Sequence, residues 1–372
     1  MFMRTRHARR LSTTLLLFCA ATALQSASGQ TQDSAAAPTP VVVGGYVDSY
    51  FSFNLDRPKS HMNQLRNFDV TENAFTVANA EISVTKAAAP LGFRVDADFG
   101  PTNDIVQSGT PGSLANIGQA YVTYVVPVGA GLTVDAGRFV THMGQEVIKA
   151  KDDINYSRSL LFALSIPYYH HGIRASYPFS SKFTLCAHVY NGYNGGIPVN
   201  PGKTFGFQAI YTPTSALTVT GNYMGGPALP DSVSKEWRNV GNLIVSYQAT
   251  DRLGLTVDAV YGQENSTPQT PFQGVALWKG VAGYVRYQIT DPSAIAVRGE
   301  IYNDPKGFTS GAPQNLSEVT LTYEYKPVTN LILRAEYRYD MTNGDLAIYD
   351  GDGGPATRKN QATLGIGAIV VF

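Results

Sequence analysis

The feature that most constrains this fold is the order of connections between segments that alternate apolar and polar residues. In LILRAEYRYD (Leu331–Asp340), leucine, alanine and tyrosine share one face, and the arginines and acids share the other. A period of two predicts a β-strand with two unlike faces. About sixteen such segments occur, near residues 41–54, 73–87, 91–100, 115–127, 131–140, 168–178, 182–191, 203–212, 216–224, 238–249, 253–263, 277–289, 293–303, 315–326, 330–341 and 360–372.

Every second connection is only a few residues long, and the others are long and rich in Gly, Pro, Asn and Asp. The short ones lie at 88–90, 128–130, 179–181, 213–215, 250–252, 290–292 and 327–329. This rhythm with an even strand number is typical of outer-membrane barrels. The sequence therefore predicts an all-β fold: a transmembrane antiparallel β-barrel of about 16 strands, with short periplasmic turns and long extracellular loops. A soluble sandwich or propeller is the alternative, but neither requires the strict alternation of connections.

A tyrosine recurs at the end of a strand, just before a short turn. A ring with a polar tip is favoured at the boundary between lipid and water. These tyrosines are predicted to form half of an aromatic girdle, together with Phe372 at the end of the last segment. The predicted girdle residues are Tyr124, Tyr177, Tyr211, Tyr247, Tyr287, Tyr325 and Phe372.

The two ends of the chain carry further signals. Residues 1–29 combine four arginines, an apolar stretch and small residues, as a secretory signal peptide does, and residues 30–40 form a short polar lead. The barrel is predicted over residues 41–372. The last strand ends GIGAIVVF, which is similar to the terminal signature that the barrel-assembly machinery reads. Export to the outer membrane of a Gram-negative bacterium follows as the expected localisation, with outer-membrane lipids as partners.

Several stretches resemble the OmpL-like family of outer-membrane β-barrel porins. They lie between Gly44 and Ser180 and include GGYVDSYFSFNLDRP (Gly44–Pro58), RNFDVTENAFTVANAEI (Arg66–Ile82) and NYSRSLLFALSIPYYHHGIRASYPFS (Asn155–Ser180). The resemblance implies a membrane barrel with a porin-like role and specifies no solute.

A barrel of this strand number is wide enough for an aqueous channel. We expect passive diffusion of small hydrophilic solutes or ions, with no enzymatic activity. The inward faces carry charges of both signs that can tune passage or pair across strands: Arg94, Asp96, Asp98, Asp135, Arg298, Glu300, Arg334, Glu336 and Arg338. Zero formal net charge argues against a nucleic-acid partner. A homo-oligomer is left open.

The third long connection, about 141–167, differs from the others in carrying many charges and an apolar run. By analogy with porins whose third loop narrows the channel, it is the candidate constriction. Its candidate residues are Glu146, Lys149, Lys151, Asp152, Asp153 and Arg158. The alternatives are a loop that caps the rim or one that packs on a neighbouring subunit.

The sequence predicts no cofactor and no metal. His170 and His171 are adjacent, so on a strand they point to opposite faces and cannot share one metal ion. No G-x-S-x-G motif occurs. Two competing functions remain: a closed barrel that serves adhesion or surface binding through its long loops, and a membrane-embedded hydrolase.

Overall fold

The computed structural model describes residues 39–108, 110, 112–194, 200–230, 236–265 and 274–372. Sixteen antiparallel strands form a closed barrel, which confirms the predicted fold. The barrel strands are β1 (Val41–Asn54), β2 (Ala74–Lys86), β3 (Leu91–Phe99), β4 (Ile117–Val126), β5 (Leu132–Val140), β6 (Tyr169–Ser180), β7 (Phe183–Tyr190), β8 (Thr204–Thr214), β9 (Leu217–Pro227), β10 (Trp237–Gln248), β11 (Leu253–Asn265), β12 (Val275–Thr290), β13 (Ser293–Asp304), β14 (Gln314–Val328), β15 (Leu331–Thr342) and β18 (Asn360–Val371).

Neighbouring strands along the chain pair with each other, and the barrel closes where β1 meets β18. At this seam Tyr46 lies opposite Val371 and Asn54 lies opposite Thr363. Closure leaves no barrel strand with an unpaired edge, which is the condition for a sheet to stand in hydrocarbon.

Within the described residues, the connections contain a small hairpin, two short helices and two 3₁₀ turns that the alternating pattern did not predict. A hairpin, β16 (Tyr349–Gly351) and β17 (Gly354–Arg358), lies between β15 and β18. Two short helices are α1 (Pro101–Val106) and α2 (Leu160–Ser165), and single 3₁₀ turns cover Gly112–Asn116 and Ala150–Asp152. Among the described residues, no helix has the length and hydropathy needed to cross a membrane.

The two faces of each strand differ as the period of two predicts. On β14, Leu321 exposes 45% of its surface on the outside of the barrel, whereas its neighbours Thr320 and Thr322 are buried on the inside. On β13, Val297 is exposed in the same way opposite Leu321. The outer surface is therefore apolar, as contact with lipid requires, and the inner surface is polar.

The seven girdle candidates lie close to the short turns. Six of them are exposed on the outer surface: Tyr124, Tyr211, Tyr247, Tyr287, Tyr325 and Phe372. Tyr177 is half-buried, with its hydroxyl 3.4 Å from the backbone nitrogen of Ala130. Their role at a membrane boundary stays a prediction.

Candidate functional site

The connection between β5 and β6, residues 141–168, folds into the interior of the barrel; we call it L3. It leaves the barrel wall at β5 but contacts strands on the far side. The backbone nitrogen of Gly144 donates to Asn242 on β10 at 3.1 Å, and the Asn155 amide donates to Thr322 on β14 at 2.7 Å. These partners lie on the inner face, so L3 crosses the lumen.

Two glutamates of the wall hold the backbone of L3 through its N–H groups. Glu336 on β15 accepts hydrogen bonds from the nitrogens of Tyr156 and Ser157 at 2.8 and 3.1 Å. Glu300 on β13 accepts from the nitrogens of Leu160 and Leu161 at 2.5 and 3.0 Å. The latter N–H groups begin α2 and have no partner within the helix, so a carboxylate satisfies them.

Three arginines of the same wall hold carbonyl groups of L3. Arg334 donates to the oxygens of Ala150 and Asp153, both at 2.6 Å. Arg298 donates to the oxygen of Ser157 at 2.6 Å, and Arg338 binds a further carbonyl of the loop. Hydrogen bonds with a charged donor are stronger than neutral ones, so strands β13 to β15 hold L3 firmly in place.

Ionic contacts fix the charged side chains of L3. Glu146 pairs with Arg298 at 2.7 Å, and Arg158 pairs with Asp153 at 3.0 Å. Burial raises the pKa of Asp153 well above its ordinary value, and the Arg158 guanidinium opposes this shift. Lys149 reaches the other side of the barrel, where it contacts Asp96 at 3.0 Å and also a glutamate on β2.

Burial alone would lower the pKa of Lys149. The carboxylates of Asp96 and Glu81 outweigh that effect, so its pKa is raised. The ammonium group is therefore charged at neutral pH.

The apolar run of L3 packs inside the barrel rather than on its rim. Leu160, Leu161 and Phe162 are buried, and the ring of Phe162 meets that of Phe68 with centroids 5.9 Å apart. A Cβ at Gly280 on β12 would lie 2.7 Å from the Cδ1 atom of Leu161. Glycine at this position lets the loop approach the wall.

Tyr156 lies over the seam of the barrel. Its hydroxyl donates to Asp48 on β1 at 2.9 Å, and its backbone nitrogen binds Glu336 on β15. Its ring covers β18 at Gly367, where a Cβ would lie 2.6 Å from the ring carbons. One loop residue thus contacts the strands on both sides of the closure.

The beginning of L3 rests on a histidine cluster that the sequence did not reveal. His142 stacks on His188 of β7 with ring centroids 4.2 Å apart, and its Nε2 atom lies 3.2 Å from the carbonyl oxygen of Tyr223. Burial lowers the pKa of His142 to about 4. His170 stacks on Tyr190 nearby, at 3.9 Å. Only the adjacent pair at 170 and 171 was visible in the sequence, because His142 and His188 meet through the fold.

The nine residues predicted to face the lumen all lie on the inner wall, and the structure gives them polar partners. Representative contacts are Arg94–Asp96 at 2.9 Å, Arg174–Asp135 at 2.7 Å, Arg298–Glu318 at 2.7 Å, Arg334–Glu324 at 2.8 Å, Arg338–Asp340 at 2.6 Å and Asn79–Asp98 at 2.8 Å. Glu318 and Glu324 were missed as site residues, although the alternation along β14 places them on the polar face.

The six candidate residues of L3 divide into two groups. Glu146, Asp153 and Arg158 are buried, whereas Lys149, Lys151 and Asp152 keep some contact with water. Within the described ranges, no group of three or more His, Cys, Asp or Glu side chains is arranged to hold a metal ion.

A family model described as "Putative beta-barrel porin-2, OmpL-like" matches residues 40–372 of the chain. The chain belongs to this porin family. The match extends the resemblance in the first half of the sequence to the whole barrel. No curated protein sequence matches the chain.

Solved structures with a similar fold are porins and outer-membrane channels. The anion-selective porin from Comamonas acidovorans has a TM-score of 0.60 at 12% identity, over 90% of this chain and 100% of that one. The outer membrane channel DcaP of Acinetobacter baumannii has a TM-score of 0.58 at 12% identity, over 90% of this chain and 98% of that one. The trimer form of OmpT from Vibrio cholerae has a TM-score of 0.58 at 14% identity, over 90% of this chain and 100% of that one. At these identities the likeness shows the fold, and family and fold together are those of an outer-membrane channel rather than an enzyme.

Proposed function

We propose that this porin is a passive channel for small hydrophilic solutes or ions, with L3 as its constriction. The observation that carries the proposal is the set of hydrogen bonds between the barrel wall and the backbone of L3. Wall carboxylates bind its N–H groups and wall arginines bind its carbonyls. A loop held through its backbone at several points narrows the lumen to a fixed bore. No catalytic step is assigned to the protein.

The setting of this channel is the bacterial outer membrane. In this proposal residues 1–29 direct export, the last strand engages the barrel-assembly machinery, and the apolar outer surface contacts lipid. The short turns face the periplasm and the long loops face the exterior. A homo-oligomer is supported by the trimeric form of one structural relative.

One observation favours a second candidate, a barrel that binds partners through its long loops and passes no solute. The residues of L3 from Asn155 to Phe162 are buried. A lumen filled to this extent would conduct little unless L3 moves.

Planar-bilayer recording of the purified mature protein separates the two candidates. A channel gives ohmic single-channel steps, and deleting Lys151–Arg158 raises the step size because the loop no longer reaches Arg334 and Glu336. The matched control is an equally long deletion, residues 266–273, in the connection between β11 and β12, which leaves the steps unchanged. If neither the parent nor the L3 deletion variant conducts, the loop-binding function is the better assignment.

A further inference from the structure

Several ion pairs in the interior share an orientation: the base is more exposed to water than the acid. On the wall toward the short turns and on L3, this holds for Arg94–Asp96, Lys149–Asp96, Lys151–Asp152, Arg174–Asp135, Arg286–Glu324 and Lys326–Glu324. A solute in this aqueous space meets ammonium and guanidinium groups first, with the carboxylates behind them. The local field therefore favours anions even though the formal charges nearly balance.

The largest excess of positive over negative charge is at Glu324 on β14, where three basic side chains contact one carboxylate. Arg286 and Lys326 contact its Oε1 atom at 2.9 and 3.2 Å, and Arg334 contacts Oε2 at 2.8 Å. No other ion-pair partner within 4.0 Å is found for Arg286 or Lys326 among the described residues. Three positive charges against one negative leave the cluster basic.

Two of these bases face the aqueous space, and the third does not. The side chains of Arg286 and Lys326 are 32% and 38% exposed, while that of Arg334 is 2% exposed and directs its remaining donors to L3 carbonyls. Arg286 reaches Glu324 across β13, where the intervening inner residues are Ala294 and Ala296. Small side chains there keep the guanidinium accessible from the lumen.

The water-exposed charges of L3 are also positive on balance. Of its candidate residues, those that keep contact with water are Lys149, Lys151 and Asp152, two bases and one acid. Glu146 and Asp153, which could have supplied negative charge to the constriction, are buried against arginines. The loop therefore does not offset the basic wall.

We propose that the channel prefers anions and that Arg286 and Lys326 form a binding station for the carboxylate or phosphate group of small anionic solutes. The planar guanidinium suits such groups because it can donate two parallel hydrogen bonds. This inference rests on the channel function proposed above and specifies its class of solute.

The test is the reversal potential of single channels under a KCl gradient near 0.1 M, where the Debye length is about 10 Å. The parent gives a chloride-to-potassium permeability ratio above one. The Arg286→Gln/Lys326→Gln variant, which keeps Arg334 paired with Glu324, shifts the ratio toward potassium. The control Lys59→Gln/Lys203→Gln removes the same charge from exposed positions in long loops and leaves the ratio unchanged.

A second readout uses inorganic phosphate on the short-turn side. Phosphate lowers the chloride current of the parent and does so less in the Arg286→Gln/Lys326→Gln variant. Absence of any current contradicts the channel function itself. Ohmic current with a potassium preference, or equal ratios and equal phosphate inhibition in parent and variant, overturns the anion station and leaves the channel function standing.

Discussion

The guanidinium of Arg298 and the carboxylate of Glu146 lie 2.7 Å apart inside the barrel, and both side chains are buried. One comes from the wall and the other from L3, and Glu318 contacts the same guanidinium at 2.7 Å. The pair joins the loop to β13, so its loss has consequences for both stability and bore.

Arg298→Met should destabilise the protein strongly. The variant leaves Glu146 buried without its ion pair and Glu318 with Arg338 at 3.5 Å. Removing one member of a buried pair costs about 3–5 kcal/mol. Arg286→Met breaks a pair that reaches water, where the cost is about 0–1 kcal/mol. Thermal unfolding in detergent, followed by gel mobility, measures both. Equal midpoints for the two variants would show that the Arg298 site does not hold L3.

Asp152→Asn and Asp153→Asn should have different effects although the residues are adjacent. Asp152 keeps contact with water beside Lys151, so its neutralisation shifts the reversal potential further toward anions. Asp153 is buried against Arg158 and accepts the Val147 N–H, so its neutralisation leaves the reversal potential unchanged. Bilayer recording of both variants provides the comparison. Equal shifts in reversal potential would contradict it.

Leu321→Arg should impair folding into lipid. The side chain lies mid-strand on the outer surface, where a basic residue costs about 2–4 kcal/mol at the bilayer midplane. Thr220→Arg places the same side chain mid-strand on the inner wall of β9, where it is partly exposed, and should be tolerated. The folded fraction in lipid vesicles, read from heat-modifiable gel mobility, compares the two. A lower yield for Thr220→Arg would reverse the assignment of the faces.

Acid should loosen the beginning of L3. The pKa of His142 falls from 6.5 to about 4 on burial, so the unfolded segment binds a proton that the folded one excludes. The contribution of neutral His142 to the stability of the folded segment is fully present above pH 6.5. It is lost as the pH falls toward 4, by on the order of 3 kcal/mol in all. Hydrogen exchange of residues 141–147, corrected for intrinsic rates, should rise between pH 7 and pH 4.

His142→Gln is the control for this pH dependence, because glutamine cannot take up the proton. Its exchange should depend less on pH than that of the parent. The remaining dependence belongs to other titratable groups at this end of L3, which include His170, His188 and Asp258, the acceptor of the Gln145 N–H. Identical pH profiles for parent and variant would show that protonation of His142 does not cause the effect.

The sequence predicted the features that depend on local periodicity. Alternation placed Arg334 and Arg338 on the inner wall and Tyr337 on the outer one, and the short connections set the strand number. The sequence could not predict which charges of L3 are buried, because their partners lie far along the chain. Glu146 meets Arg298 only after the barrel closes, and the stacking of His142 on His188 has the same origin.

The position of Tyr156 over the seam links the loop to the closure of the barrel. Its hydroxyl partner Asp48 is on the first strand, while Glu336 and Gly367 are on the last two strands of the barrel. The full set of contacts around Tyr156 exists only when the two ends of the sheet have met. Parting β1 from β18 breaks the hydrogen bond between Tyr156 and Asp48. L3 therefore acts as a clasp across the seam, which opposes lateral opening of the barrel toward lipid.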